Sequence, residues 1–467
     1  MSSKKLFILI LIVFFGVFSA LAVFEIVLHA IPLIYKTIPE SKKTKYIYIL
    51  GESSAYGIPY NGKVSFVQII QYISSNKIDN RNIEVINLAR PGCRLIHQYF
   101  NYYLYRYTHP FRRGIVLIYA GTNDISYEYP DLKYPLMYNL NLTKLADLYI
   151  NGTLNFQYVY ESIIRLSKKF GDDIYISTIA GNYSGFMPDN VHLFNRNKGL
   201  ISILNKIDKL FFDKKYYEAL NLCKKNVYIS GNQYIFYRIG KIYEKLGNVE
   251  KANKFYIKAI DVQYSDQLRY RPTTYQNRII KFLAVKYNVG CLYLFSKIYN
   301  SGEVIGYNFF IDKIHPTLRL NWIIAKGFMN LLAKKYEIKE TDNIFAADDV
   351  KKIFGLKKWD IFCSYIQALG EIYICAYRYD VFDVYSYQHI KNYTKIIKSM
   401  EFMDTEKTQE KENTIQFMEL LLEYISANNG DKSKEKINKM YGYGLKKKYV
   451  YARDINFRMM LEENNII

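Results

Sequence analysis

Five short apolar runs divide the chain between residues 45 and 295: KYIYIL (45–50), NIEVINL (82–88), GIVLIYA (114–120), DIYISTI (173–179) and GCLYLF (290–295). Short, predominantly apolar runs of this kind suit strands buried in a parallel sheet. Stretches such as SFVQIIQYISS and QYVYESIIRLSKKF lie between them and carry apolar residues at helical spacing. Strand alternating with helix points to an α/β layered fold with right-handed crossovers. The fourth and fifth runs stand too far apart for one crossover, which predicts an insertion.

Residues 200–262 read as helices, and within them FYRIGKIYEKLGNVEKANKFYIKAI has its own pattern. Phe236, Ile239, Gly240, Tyr243, Leu246, Gly247, Ala252, Tyr256 and Ala259 fall at the spacings of a tetratricopeptide (TPR) repeat, whose small residues let two antiparallel helices approach. A partial second copy, YYEALNLC, lies upstream. An ordinary helical hairpin is the plainer alternative. A lone repeat cannot bury its faces, so either version is expected to pack on the α/β part or on neighbouring helices.

The two ends differ from this middle. After Lys4 and Lys5, residues 6–24 carry no charge, nearly enough to span a bilayer core of roughly 30 Å. Ala20-Leu21-Ala22 would fit a signal-peptide cleavage site, yet apolar sequence resumes past Glu25. The expectation is therefore an uncleaved transmembrane anchor over 1–36. Lys4 and Lys5 would stay cytoplasmic and the rest would be extracytoplasmic; Lys36, Lys42, Lys43 and Lys45 on the far flank weigh against that orientation. Residues 339–467 read as an all-α region without a catalytic motif, with DTEKTQEKEN (404–413) as a linker or solvated face.

The net charge of +21 raises the question of an anionic partner. The lysines are spread through every segment with no long basic run, so a solvated basic surface is expected and no nucleic-acid partner. Cys93, Cys223, Cys291, Cys363 and Cys375 form no C-x-x-C pair, which argues against structural zinc or a disulfide framework.

A serine hydroxyl becomes a nucleophile only when a base takes its proton and donors await the oxyanion. Ser53, in GESS, directly follows the first run, at the sheet edge where open α/β folds place their sites. INLARPG leaves the second run with Gly92 in a turn. IYAGTND ends the third with Gly121, Asn123 and Asp124. FFIDKIHPT follows the fifth and sets Asp312 three residues before His315, ahead of a helix beginning near Leu318.

In order and context these four blocks match those of the SGNH hydrolases, also called GDSL esterases and lipases, which residues 45–335 resemble around the helical insertion. The resemblance implies a flavodoxin-like three-layer fold with a parallel five-stranded sheet, formed by residues 45–199 and 263–338. It also implies roles. Ser53 would be the nucleophile and its N–H the first oxyanion donor, with the Gly92 N–H second and the Asn123 amide third. His315 would be the general base, with Asp312 fixing its tautomer. No cofactor and no metal are implied. The usual aspartate beside the serine is Glu52 here, a change that keeps the charge.

Other readings compete at single positions. Ser54 neighbours the nucleophile, but the Gly-acid-Ser register selects Ser53. Asp189 and His192 also spell D-x-x-H after the fourth run, without the proline and helix that follow His315. Asp124 reads as a capping carboxylate, Gly121 as a backbone requirement, and Asn182 as a polar turn residue that could reach substrate. The expected function is ester hydrolysis through an acyl-enzyme on Ser53, with O-acetyl groups of an envelope glycan as the concrete substrate. Alternatives are an acyltransferase, a lysophospholipase close to the bilayer, and a non-catalytic TPR-containing scaffold that binds protein partners through its helical insertion or C-terminal region.

Overall fold

The computed structural model describes residues 41–124, 156–188, 198–229, 232–262, 271–338, 352–379, 387–403 and 405–426, with four isolated positions before them. Six strands form one sheet: β1 (Thr44–Gly51), β2 (Lys77–Ile78), β3 (Arg81–Asn87), β4 (Gly114–Tyr119), β5 (Asp173–Ser177) and β6 (Gly290–Leu292). Their order is β2-β3-β1-β4-β5-β6, and every pair is parallel except β2 with β3.

The sheet thus has one strand more than the five expected. The extra strand is two residues long and reverses into β3 through Asp79 and Asn80, both with left-handed backbone (φ 53° and 58°). Two residues are too few for a hydrophobic period, but adjacent Asp and Asn tolerate a turn with two positive φ values. β6 is also shorter than its apolar run. It ends at Leu292, and the chain turns instead into a short helix, α10 (Leu294–Tyr299).

The five parallel strands run second, first, third, fourth, fifth in chain order, the flavodoxin-like order, whose switch point lies between the first and third. Tyr46 to Gly51 of β1 pair with Gly114 to Tyr119 of β4, so the carboxyl ends of these two strands lie side by side at that switch point. β4 is buried along its whole length, as its apolar run requires. On one face α2 (Phe66–Ile73) packs with α11 (Leu318–Leu332); on the other α3 (Leu95–Thr108), α4 (Phe156–Lys169) and α9 (Thr274–Tyr287) pack together. Asn321 of α11 accepts from the Phe66 N–H at 3.0 Å and so satisfies a donor at the start of α2.

Between β5 and α9 stand α5 (Lys198–Phe212), α6 (Tyr216–Lys225), α7 (Asn232–Lys245) and α8 (Val249–Asp261). α7 and α8 approach closely because Gly240 faces Tyr256, where a Cβ would lie 2.5 Å from the ring. The hairpin docks on the sheet's loops: Tyr237 donates to Ser184 O at 2.8 Å, and Asn253 bonds both Glu303 O and Ile305 N. Beyond α11 come α12 (Lys358–Tyr379), α13 (Tyr387–Lys398) and α14 (Thr405–Ser426). Among the described residues no helix is long and apolar enough to cross a membrane. The expected anchor over 1–36 lies, but for four positions, outside the described residues.

Candidate active site

β1 delivers Ser53 through a tight strand-to-helix turn. Gly51 ends the strand where a Cβ would clash with Ala55 at 2.3 Å, and the one-turn helix α1 (Ser53–Tyr56) begins two residues later. As the first residue of a helix, Ser53 has an N–H that the helix ladder does not use. Ser53 is 6 % exposed. The Ser54 hydroxyl does not meet the imidazole but donates to Ile314 O at 3.4 Å, a tie between loops.

His315 Nε2 lies 2.7 Å from Ser53 Oγ, and its Nδ1 lies 2.5 Å from Asp312 Oδ2. A carboxylate only accepts, so Nδ1 carries the hydrogen and Nε2 is left to accept from the serine hydroxyl. The other oxygen of Asp312 accepts from the Ile314 and His315 N–H groups at 2.9 and 2.8 Å. Burial would push the pKa of Asp312 up, but the His315 charge and these donors outweigh it and hold the carboxyl below its ordinary value. It remains an anion beside the imidazole. The competing Asp189 and His192 lie outside the described residues.

Gly92 sits in the turn between β3 and α3 with φ +71°, where a Cβ would meet nothing within 4 Å. The glycine therefore answers the backbone angle rather than a shortage of space. The Asn123 side chain donates to Cys93 O at 3.0 Å, which ties the loop after β4 to the Gly92 turn. An amide has two N–H groups, so this bond leaves one for another acceptor. Asp124 accepts from the Leu95 N–H at 3.0 Å and so caps α3 from outside its own segment.

Glu52 does more than stand in for an aspartate. Its carboxyl group is buried, and its oxygens accept from the N–H groups of Gly121 (2.9 Å), Thr122 (3.0 Å) and Asn123 (3.1 Å) and bond the Thr122 hydroxyl. The residue before Ser53 thereby shapes the loop that carries Asn123. Burial, and then the Asp124 charge, push the Glu52 pKa up to about 8 against the pull of these donors. Nothing in the local sequence pairs Glu52 with residues some seventy positions on.

Asn182, read as a residue that could reach substrate, is fully buried with its side chain committed. It donates to Asp312 O at 3.0 Å and accepts from Gly185 N at 2.7 Å, while its own N–H bonds Lys313 O. It braces the Asp312 loop. Among the described residues no group of three or more His, Cys, Asp or Glu side chains could hold a metal ion.

No family model and no curated protein matches the chain. Among solved structures it is similar to a catalytic mutant of an acetylxylan esterase from Geobacillus stearothermophilus, with 12% identity, TM-score 0.33, and coverage of 65% of this chain and 100% of that one. It is also similar to a lipase/acylhydrolase from Enterococcus faecalis, with 10% identity, TM-score 0.29, and coverage of 64% and 100% respectively.

Proposed function

We propose that the chain is a serine esterase of the SGNH type that hydrolyses an ester through an acyl-enzyme on Ser53. The observation that carries this reading is the continuous relay from Asp312 through His315 to Ser53, closed by contacts of 2.5 and 2.7 Å. In the first step Ser53 Oγ attacks the acyl carbon as its proton passes to His315 Nε2, and the imidazolium then protonates the leaving alcohol. Water, deprotonated by the same nitrogen, attacks the acyl-enzyme and frees the acid. The developing oxyanion would be met by the Ser53 N–H, the Gly92 N–H and the Asn123 amide.

The substrate in this proposal carries a small acyl group, concretely the O-acetyl groups of an envelope glycan. The apolar stretch over residues 6–24 supports a single-pass anchor with the site on the extracytoplasmic side. Both parts have direct tests. Full-length protein should cleave acetyl esters faster than long-chain acyl esters in a panel of glycan and lipid substrates, and a preference for long chains would replace the glycan with a lipid. Added protease should reach residues 45–467 from outside intact cells, and protection there would reverse the topology.

A further inference from the structure

The C-terminal helices, which carry no catalytic motif of their own, reach both loops of the proposed site. Tyr393 of α13 donates to Ile311 O at 3.0 Å, in the peptide joining Ile311 to Asp312. Its ring meets Tyr307 edge-on with centroids 5.9 Å apart and Tyr365 of α12 at 4.9 Å. Asp360 of α12 reaches the loop that follows Ser53: it bonds Lys63 Nζ at 2.8 Å and Asn61 Nδ2 at 3.1 Å, and its other tie is to the Lys357 N–H at the start of its own helix. Tyr60, between these contacts and Ser53, is buried.

We infer that α12 and α13 are part of the catalytic unit, with Tyr393 a positioning residue that holds the Asp312–His315 loop against Ser53 while Asp360 holds the serine loop from the other side. Resting on the Ser53 reading above, this assigns a role to a region that its sequence left blank. The physical argument is one of reach and dryness. Asp312 is 1 % exposed, and a carboxylate kept from water orients an imidazole more firmly than a solvated one. The Tyr393 and Tyr60 hydroxyls are both held above the ordinary tyrosine range, first by burial and in part by the charge of Asp312, so both stay neutral beside it. Asn182 braces the same loop from the β5 side through Asp312 O and Lys313 O. Tyr393 supplies the opposite brace one residue earlier, and two braces fix a loop that one would leave hinged.

The test uses full-length protein in mild detergent, with Tyr393→Phe and Asp360→Ala each compared with wild type. Tyr393→Phe removes only the hydroxyl and keeps the ring packing. It should lower kcat on nitrophenyl acetate by about tenfold or more at nearly unchanged KM, and slow fluorophosphonate labelling of Ser53 by a similar factor. The downfield proton resonance of the His315–Asp312 bond should weaken with it, a change that a merely structural tyrosine would not produce. Wild-type kcat and labelling rate in a folded Tyr393→Phe protein would overturn the inference. If that variant does not fold, Asp360→Ala decides: slowed labelling supports the inference and a wild-type rate overturns it. Wild-type protein that takes no label at Ser53 would instead overturn the esterase reading itself.

Discussion

At the scale of single residues, the site depends on which atoms accept and which donate. Asp312 can only accept, so it sets the His315 tautomer, and that tautomer leaves Nε2 facing Ser53. His315→Ala should therefore remove nitrophenyl acetate hydrolysis, whereas His192→Ala should leave most of it; the opposite ranking would move the base to His192. Glu52 offers a test through pH. Its folded pKa, pushed up to about 8, lies above the value of 4.5 for a free glutamate. The proton is then held more tightly in the folded chain, so this contribution to stability is full below about pH 4 and is lost as pH rises toward 8. The melting temperature of wild type relative to Glu52→Gln should fall between pH 5 and 8, and a constant difference would contradict the assignment. Ser53, Gly92 and Asn123 could be named as candidates because each follows a recognisable strand within a few residues, and Asp312 and His315 because they share a D-x-x-H-P block ahead of a helix. The Glu52 cradle, the Asn182 brace and the Tyr393 clamp could not, since their partners lie some 70 to 130 residues away and no local pattern pairs them.

At the scale of elements, β1, β4 and β5 announced themselves because strands buried on both faces demand near-continuous apolar runs, whereas β3 is only half-buried and its run carries Glu84 and Asn87. β2 was hidden because two residues carry no period, and the Leu294–Tyr299 helix because its apolar residues continue the β6 run without a break. The helical insertion was legible through its small residues. Gly240 is the clearest of them, since a methyl group there would press on the Tyr256 ring at 2.5 Å. Gly240→Ala should cost about 1–3 kcal/mol in thermal or urea unfolding, the usual penalty for overpacking. Ser53 should still take a covalent label in the folded fraction, because α7 and α8 touch the loops behind Asn182 rather than Ser53 itself. An unchanged unfolding midpoint would mean that the two helices do not pack as closely as Gly240 and Tyr256 indicate.

At the scale of the whole molecule, sequence-distant segments converge on one sheet edge. β1 brings Glu52 and Ser53, the β3 turn brings Gly92, the β4 loop brings Asn123, and the segment after β6 brings Asp312 and His315. α12 and α13 close over the loops that carry the two ends of the relay. The central claim is that this convergence makes Ser53 a nucleophile, and covalent labelling of full-length protein by a fluorophosphonate tests it most directly. Mass spectrometry should find the adduct on Ser53, with none on Ser54 and none in Ser53→Ala. A wild-type protein that takes no label, or a Ser53→Ala protein labelled as well as wild type, would contradict the account.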